Sequence, residues 1–265
     1  RSSAASDVYK RQIPTSGFMD QESAWAANKI VNNKKNESLL EITLSGPTLI
    51  FNGNYVISIT GGDFNSLINK LPVKMYQPIN VKLGDTLKLN NTINGARCYI
   101  AISGGLNVKS IFGSKSFFSN ITDSYFLKKN DEIKVSKKSK NKILKWDRFN
   151  FKLNRSMEVF KGPEFDLLSS NSKNKLFKNE FTISTNNRMA YNLVEKLQVG
   201  TKSIISSPVL PGSVQLTPSG KMIILHRDCQ TTGGYPRILQ LNISSLNYLS
   251  QLKSTDKIKL RLINL

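Results

Sequence analysis

The stretch HRDCQTTGGYP, residues 226–236, carries the densest set of chemically capable groups in the sequence. Asp228 could accept a proton or orient a hydrogen-bond donor. Three amide or hydroxyl side chains follow it: Gln230, Thr231 and Thr232. Two glycines would then expose main-chain N–H groups that could stabilise an oxyanion: Gly233 and Gly234. The stretch predicts a site that polarises a carbonyl group, or else a polar hairpin turn without chemistry.

His226 and Cys229 are the residue types of a general base and a nucleophile, but their spacing argues against a dyad. The run KMIILH predicts a strand that ends at this point. Residues three apart on an extended segment point to opposite faces. We therefore assign no catalytic role to either residue.

Three further stretches combine polar groups with turn residues. In SGFMD (16–20), N–H groups at a helix start could hold an anion, or Asp20 could simply cap the helix. ARCYIAISGGL (96–106) predicts a strand ending in Gly-Gly, which would admit a ligand close to the backbone or merely form a tight turn. In NNRMAYNL (186–193), Arg188 could hold a carboxylate or phosphate, or form a structural ion pair.

Short alternating runs rich in β-branched residues surround these stretches. Examples are LLEITLSGPTLIF, NYVISITGGDF and QPINVKLGDTLKLN, separated by Gly, Asn and Asp. This texture predicts a mainly β protein, a barrel or sandwich rather than βαβ units. Few helices are expected: one over residues 19–31 with Asp20 as its N-cap, and one within LNYLSQL (246–252).

The same texture divides the chain into two β-rich halves. We expect an N-terminal half over residues 13–127 and a C-terminal half over residues 146–265 that carries DCQTTGGYP. The Lys-rich residues 128–145 are predicted to be an exposed connection. The opening RSSAASDVYKRQ, residues 1–12, reads like adaptor-derived sequence, so native sequence is expected to begin near residue 13.

The chain is strongly basic, with 38 Lys and Arg against 18 Asp and Glu and a formal charge of +20. Its lysines are scattered, and no zinc-finger, RNA-recognition or basic-helix motif appears. We therefore expect no nucleic acid as a partner. A basic surface could still attract anionic substrates or an acidic partner protein.

The cysteine count and the length of the apolar runs indicate where in the cell the protein resides and whether it binds a metal. Two cysteines and one histidine are too few for a Cys/His zinc site, so no metal is expected. Isolated thiols suit a reducing compartment. No apolar run reaches 18 residues and no secretory signal is visible, so we expect a cytoplasmic protein without membrane contact.

Eight short motifs stand in an order that resembles one known family. They are PTSGFMD, LEITLSGP, GARCYIAISGG, GSKS, KGPEF, RMAY, PGSVQLTP and DCQTTGGYP. They resemble the biotin-dependent carboxyltransferase-like family of allophanate hydrolase subunit 2 proteins, which includes the 5-oxoprolinase C subunit, KipA and a segment of urea carboxylase. The resemblance spans residues 13–265. The usual opening motif of the family, Q-D-x-G-R-x-G, is absent where residues 1–12 stand.

The resemblance implies a cyclophilin-like β-barrel architecture and an enzyme that needs partners. The leading implication is a component like the C subunit of an ATP-dependent 5-oxoprolinase, which opens 5-oxoproline to glutamate. Its partners would be the 5-oxoprolinase A and B subunits, the second of which is a KipI-like allophanate hydrolase subunit 1 protein. The complex would use ATP.

Two other functions stay open under the same resemblance. One is half of a biotin-dependent carboxyltransferase acting on urea or a related amide, with biotin attached elsewhere than on this chain. The other is a KipA-like regulator that binds a KipI-like kinase inhibitor without catalysis. Both enzyme interpretations imply a small amide-like substrate.

Carrying the family motifs over residue by residue implies a site in this chain. The implied catalytic residues are Asp228, Gln230, Thr231 and Thr232. The implied substrate-binding residues are Ser16, Asp20, Arg97, Gly104, Gly105, Arg188, Gly233, Gly234 and Tyr235.

Overall fold

A computed structural model describes residues 13–14, 16–116, 118, 121–122, 127–136, 155–198 and 203–264. These residues form two compact units. The sheet unit begins at residue 20 and includes residues 20–116. The barrel unit combines residues 13–19 with residues 155–264, although the texture of the sequence groups residues 13–19 with the N-terminal half. The adaptor-like segment, residues 1–12, lies outside the described residues.

The sheet unit contains one helix and two antiparallel four-stranded sheets. Its elements are α1 (Gln21–Ile30), β1 (Leu40–Thr43), β2 (Thr48–Ile50), β3 (Tyr55–Asp63), β4 (Leu67–Ile68), β5 (Leu71–Pro72), β6 (Ile79–Val81), β7 (Thr86–Lys88) and β8 (Asn94–Ile102). The strand orders are β1-β8-β3-β6 and β2-β7-β4-β5.

Helix α1 forms where the sequence predicts it, because its first turn is capped by Asp20. The carboxylate of Asp20 accepts hydrogen bonds from the Ser23 main-chain N–H (3.0 Å) and from the Ser23 hydroxyl (2.6 Å). The helix packs on β3 and β8. Strand β3 is buried on both faces: Ile57 and Ile59 enter the core, while Ser58 donates to a helix carbonyl, Ala27 O, at 2.7 Å.

The barrel unit contains a closed seven-stranded barrel, two α-helices, one 3₁₀ turn and a separate two-stranded ribbon. Its elements are β9 (Ser156–Lys161), the 3₁₀ turn (Phe165–Leu167), α2 (Ser170–Lys178), β10 (Glu180–Asn186), β11 (Ala190–Lys196), β12 (Ser207–Pro208), β13 (Ser213–Leu216), β14 (Lys221–Leu225), β15 (Thr232–Gly233), β16 (Arg237–Leu241), α3 (Ile243–Ser250) and β17 (Lys257–Leu262). The barrel order is β10-β11-β14-β13-β16-β9-β17, and β12 pairs with β15.

Strand β17 joins two other barrel strands and alternates between buried apolar and exposed polar residues. In β17, KIKLRL, Ile258 and Leu260 are buried, whereas the intervening Lys257 and Lys259 are exposed. This strand pairs antiparallel with β10 on one side and parallel with β9 on the other. One face of the strand is therefore buried while the other stays polar and exposed.

The structure confirms the predicted mainly β architecture, with 38% strand, 14% helix and a seven-stranded barrel. Helix α3 begins at Ile243, before the predicted LNYLSQL, because the Asn242 side chain caps it by accepting from Ser245 N at 2.8 Å. Helix α2 was not predicted: only Ser172 and Leu176 of SNSKNKLFK are buried.

The predicted Lys-rich connection is described only up to residue 136, and residues 137–145 lie outside the described residues. Residues 128–132 are exposed. Val135 then forms an isolated bridge with Leu106 in the sheet unit. The boundaries expected for the connection stay a prediction.

Candidate functional site

The DCQTTGGYP motif begins in a tight turn that follows β14. The turn closes through a bond from Cys229 N to His226 O at 3.0 Å. Main-chain N–H groups of the turn also bond to the residues that lead into β11: His226 N donates to Met189 O (2.8 Å) and Asp228 N to Arg188 O (2.9 Å). This pairing brings the side chains of Asp228 and Arg188 within reach of each other.

Asp228, Arg188 and Ser16 form one hydrogen-bonded group. Arg188 donates from Nε to Asp228 Oδ2 at 2.7 Å and from Nη2 to Oδ1 at 3.1 Å. The Ser16 hydroxyl donates to the same Oδ1 at 2.6 Å. The Asp228 side chain is 9% exposed, whereas that of Arg188 is 34% exposed. Both carboxylate oxygens already accept bonds from charged or hydroxyl donors, which suits Asp228 to orienting Arg188.

The loop that carries Ser16 is fixed by the same arginine. Arg188 Nη2 donates to Gly17 O at 2.6 Å and to Ser16 Oγ at 3.3 Å. Ser16 has φ +53° and Gly17 φ +94°. A positive φ is uncommon for residues other than glycine, so the Ser16 side-chain bonds stabilise a conformation that its backbone disfavours.

The rest of the motif builds what we call the site ribbon, residues 203–210 and 229–236. Thr232 pairs with Pro208 and Gly233 with Ser207 in strands β12 and β15. Thr231 is exposed, Gln230 and Thr232 are half-buried, and Tyr235 is 38% exposed. The ribbon therefore offers hydroxyl and amide groups to solvent on the same segment as Asp228.

The two glycines of the ribbon differ in what surrounds them. Gly233 is buried, and a Cβ there would overlap Nε2 of Gln215. Gln215, a buried residue of β13, donates through that Nε2 to Tyr235 O at 3.4 Å. Around Gly234 no atom would lie closer than 3.7 Å to an added Cβ. Close packing explains the first glycine, and the predicted oxyanion role of both stays a prediction.

An ion pair that the sequence did not predict holds the ribbon to the barrel. The Glu164 carboxylate accepts from Arg237 Nε (3.0 Å), Nη2 (2.7 Å) and the main-chain N (2.8 Å). Arg237 Nη1 donates to Pro208 O in β12 at 2.7 Å. Hydrogen bonding by Arg237 holds the pKa of Glu164 below its usual value, although burial opposes this. The available signal was position, since Glu164 lies within the KGPEF motif and Arg237 directly follows TTGGYP.

His226 is a structural residue of the barrel unit. Its Nδ1 accepts from Arg227 N at 2.9 Å, and its Nε2 lies 3.1 Å from Leu246 O, so the hydrogen bonds imply the Nε2–H tautomer. The ring lies 5.5 Å from that of Tyr191. Both ring nitrogens are thus occupied by main-chain groups, and neither is left to activate a thiol.

Cys229 packs into a small apolar cluster with Val209 and Leu225. Burial, followed by the nearby charge of Asp228, raises its pKa to about 11. A thiol with that pKa is a poor nucleophile at neutral pH. The structure supports excluding a Cys-His dyad, although residues 226–229 form a turn where an extended segment was expected.

In the sheet unit, the Gly-Gly turn after β8 needs glycine for its backbone. Gly104 and Gly105 have φ +96° and +77°. Gly104 N donates to Asn33 Oδ1 at 2.8 Å, and a Cβ on Gly105 would overlap Glu37. This fits the tight-turn interpretation, and a ligand at the turn stays a prediction.

Glu37 also accepts from Lys115 of the GSKS motif at 2.6 Å. Burial would raise the pKa of Glu37, but the hydrogen bonds from Lys115 and Ser38 outweigh it and lower the pKa. Two family motifs of the sheet unit, the Gly-Gly turn and GSKS, are thereby joined through one carboxylate.

The remaining predicted site residues of the sheet unit are buried. Asp20 is 3% exposed and caps α1, and its main-chain N donates to the Tyr99 hydroxyl at 2.8 Å. Arg97 is 3% exposed and lies on β8 opposite Thr43. A helix-capping role therefore accounts for Asp20 without a ligand.

The predicted site residues are thus divided between the two units. The structure brings three of them into direct contact: Ser16, Arg188 and Asp228. Six more follow Asp228 along the site ribbon: Gln230, Thr231, Thr232, Gly233, Gly234 and Tyr235. The other four belong to the sheet unit: Asp20, Arg97, Gly104 and Gly105.

Metal-binding clusters and membrane-spanning helices are both absent from the described residues. Within those ranges no group of three or more His, Cys, Asp or Glu side chains is placed to hold a metal ion. In the same part of the chain, no helix is long and apolar enough to cross a membrane.

The barrel, the paired sheets and the motif positions define a class of protein. Residues 12–262 match the family model of the carboxyltransferase domain, subdomains A and B, and the chain belongs to that family. The family resemblance seen in the sequence motifs is thereby confirmed.

The sequence of this chain is also similar to individual proteins with assigned names. The 5-oxoprolinase C subunit of Escherichia coli is 28% identical over 89% of this chain and 78% of its own length. The protein of the same name from Haemophilus influenzae is 27% identical over 94% of this chain and 82% of its own length. The urea amidolyase of Saccharomyces cerevisiae is 34% identical over 46% of this chain, which is 7% of that protein.

Solved structures share the fold. The urea amidolyase of K. lactis superimposes with a TM-score of 0.87 at 24% identity, covering 97% of this chain and 17% of that chain. TTHA0988 superimposes with a TM-score of 0.85 at 24% identity, covering 94% of this chain. The chain spans 51% of the length of TTHA0988.

Proposed function

We propose that this chain is the component equivalent to the C subunit of a heteromeric, ATP-dependent 5-oxoprolinase, which opens 5-oxoproline to glutamate together with its A and B subunits. The observation that carries the proposal is the similarity to two proteins named as that 5-oxoprolinase component over most of both chains. The family motifs that support it also include the three residues that meet at Asp228.

The geometry around Arg188 suits one end of this substrate. 5-Oxoproline has a carboxylate, which the positive charge of a guanidinium group attracts. Arg188 is 34% exposed, and Asp228 and Gly17 fix its orientation. In this proposal Arg188 binds the substrate carboxylate, and Asp228 and Ser16 hold Arg188 in place.

The site ribbon suits the other end of the substrate. Opening a lactam builds negative charge on the carbonyl oxygen, which fixed hydrogen-bond donors stabilise. The proposed donors are the hydroxyls of Thr231 and Thr232, the amide of Gln230 and the main-chain N–H groups of Gly233 and Gly234. Tyr235 lines the same segment. No strong nucleophile is required of this chain.

The partners and the energy source belong to the proposal as well. The chain would act with the 5-oxoprolinase A subunit, and with a KipI-like, allophanate hydrolase subunit 1 protein as the B subunit. We assign ATP use to the complex, since the sequence holds no GxxxxGKS/T loop. A cytoplasmic location is proposed with it.

A carboxyltransferase acting on urea or a related amide is the second candidate, favoured by the similarity to the urea amidolyase of Saccharomyces cerevisiae. In that case biotin would be carried by another chain or domain. The same donors of the ribbon would then face an amide carbonyl. A KipA-like regulator would need the partner but none of these donors.

The test is to combine the chain with 5-oxoprolinase A and B subunits. Glutamate is measured from 5-oxoproline and ATP, with each of the three proteins omitted in turn. A parallel reaction supplies urea, bicarbonate, ATP and a biotinylated carrier with its carboxylase. Glutamate formation only with all three proteins supports the proposal; carboxylation of urea without glutamate formation supports the second candidate.

A further inference from the structure

The site ribbon is free of charged residues in a chain that is otherwise rich in them. Residues 203–210, SIISSPVL, and 229–236, CQTTGGYP, contain no Asp, Glu, Lys or Arg. Charged residues make up 21% of the chain, so sixteen residues would carry about three on average. Loss of charge is the compositional mark of the centre of a protein interface.

The ribbon also exposes large apolar side chains. Ile205 is 92% exposed, Leu210 65% and Tyr235 38%. Ile204 N bonds to Gly234 O and Val209 N to Thr231 O, each at 3.0 Å, so these side chains flank one two-stranded sheet. Neighbouring exposed apolar residues in a folded protein mark interaction surfaces more often than isolated ones do.

The backbone of the site ribbon is better suited to binding a partner through side chains than to pairing with an added strand. Pro208 has no N–H group, and its carbonyl already accepts from Arg237 Nη1. The Ile205 carbonyl accepts from Ser207 Oγ at 3.1 Å. The Glu164–Arg237 ion pair holds β12 in position, which lowers the ordering cost of binding.

We propose that the site ribbon is the docking surface for the 5-oxoprolinase B subunit, with Ile205, Leu210 and Tyr235 inserted into an apolar face of that partner. This identification of the occupant rests on the proposed function. Tyr235 is one of the residue types enriched at energetic centres of interfaces. The matching region of the K. lactis urea amidolyase is 17% of that chain, so in that relative this fold is joined to much further protein.

Charge argues against the other occupants. Nucleic acid and anionic membranes are bound through lysine and arginine, which the ribbon lacks. A second copy of this chain would bring together two bodies of formal charge +20, whose repulsion opposes association. An apolar protein surface is the occupant that the uncharged ribbon fits.

The test compares Ile205→Asp and Leu210→Asp with a matched control, Ile243→Asp. Ile243 is also 65% exposed in the barrel unit, and it begins α3, where an acidic residue is tolerated. Calorimetry measures the Kd for the B subunit. We expect each ribbon variant to weaken binding by about thirtyfold or more, and the control by less than about threefold.

Hydrogen exchange on the unmodified complex provides a readout that does not depend on variants. Slower exchange over residues 203–210 and 229–236 on addition of the B subunit supports the proposal. Equal affinities for all three variants, protection confined to other segments, or no binding of that partner to the wild-type chain would overturn it. A wild-type dimer in sedimentation that Leu210→Asp dissociates would overturn it in favour of a second copy.

The glutamate assay separates this inference from the proposed function. Ribbon-dependent binding of the B subunit without glutamate formation supports the docking surface and contradicts the function. Glutamate formation with undiminished binding by both ribbon variants contradicts the docking surface and leaves the function standing.

Discussion

Arg188 and Asp228 form a two-pronged ion pair, with Nε–Oδ2 at 2.7 Å and Nη2–Oδ1 at 3.1 Å. The carboxylate is nearly buried and the guanidinium is about one-third exposed. This asymmetry gives the two residues different roles. Asp228 sets the angle of the guanidinium plane, and in the proposed function Arg188 presents its exposed part to the substrate.

Arg188→Lys should impair activity although it keeps the positive charge. A lysine cannot contact both Asp228 oxygens in a fixed fork and reach Gly17 O at the same time. We expect kcat/KM for 5-oxoproline to fall by about ten- to a hundredfold, mainly through KM, in steady-state assays of the reconstituted complex. Arg155→Lys, which alters an exposed ion pair with Asp256, serves as the control and should stay near wild type. Comparable activity in both variants would argue against a substrate-binding Arg188.

Asp228→Asn tests the ion pair in the folded chain itself. The amide keeps the shape but loses the charge that the Arg188 and Ser16 donors contact, and it leaves the guanidinium without its counter-ion. We expect the free energy of unfolding, from urea titration, to fall by about 1–3 kcal/mol. Asp166→Asn removes an ion pair whose carboxylate side chain is 88% exposed, and the free energy of unfolding should stay close to that of the wild type. Equal losses in the two variants would contradict the assigned role of Asp228.

Gly233→Ala and Gly234→Ala form a matched pair within the site ribbon. The added methyl group overlaps Gln215 at position 233 but meets no atom closer than 3.7 Å at position 234. Neither glycine has positive φ, so backbone strain does not separate them. Overpacking should destabilise Gly233→Ala by about 1–3 kcal/mol and Gly234→Ala by less than about 0.5 kcal/mol, measured by urea unfolding. The reverse order would show that the ribbon does not pack against Gln215 as described.

Cys229 should resist alkylation in the folded protein. With a pKa of about 11, about one thiol in a thousand is ionised at pH 8. Iodoacetamide should therefore label the native chain slowly and the urea-unfolded chain rapidly, as followed by mass spectrometry. Cys229→Ala should retain activity in the complex. Rapid labelling of the native chain, together with loss of activity in Cys229→Ala, would indicate that Cys229 is a catalytic thiol.

The Glu164–Arg237 pair predicts that the folded chain loses stability at acidic pH. The pKa of Glu164 is lower in the folded chain than in the unfolded one, because Arg237 hydrogen-bonds to the carboxylate. The ion pair therefore stabilises the fold above the unfolded pKa, and that contribution is lost as pH falls through the folded pKa. Between about pH 5 and about pH 2 the melting temperature of the wild type should fall more than that of Glu164→Gln. If the melting temperatures of the two proteins fell in parallel with pH, Glu164 would contribute nothing to the loss of stability in acid.

Local pattern was sufficient for much of the fold. Asp20 at the start of an apolar-periodic run predicted α1, and the alternation within KIKLRL matches the burial of Ile258 and Leu260. Helix α2 has too narrow a buried stripe to stand out, since its stability depends on two buried residues and a serine cap.

Local sequence patterns do not predict the contacts between residues of the candidate site. Ser16 and Asp228 are 212 residues apart, and Glu164 and Arg237 are 73 apart. Family motifs indicated Ser16, Arg188 and Asp228 as site residues but not that they touch. Only the barrel order, which sets β11 beside β14, brings Arg188 next to the turn that holds Asp228.

The central claim is that this chain contributes Arg188, oriented by Asp228, to the opening of 5-oxoproline. Glutamate formation from 5-oxoproline and ATP by this chain in complex with the A and B subunits tests it most directly. We predict activity that requires all three chains and that falls by at least about tenfold in Arg188→Ala while the B subunit still binds. A complete wild-type complex that forms no glutamate, or an Arg188→Ala complex as active as the wild type, would contradict the account.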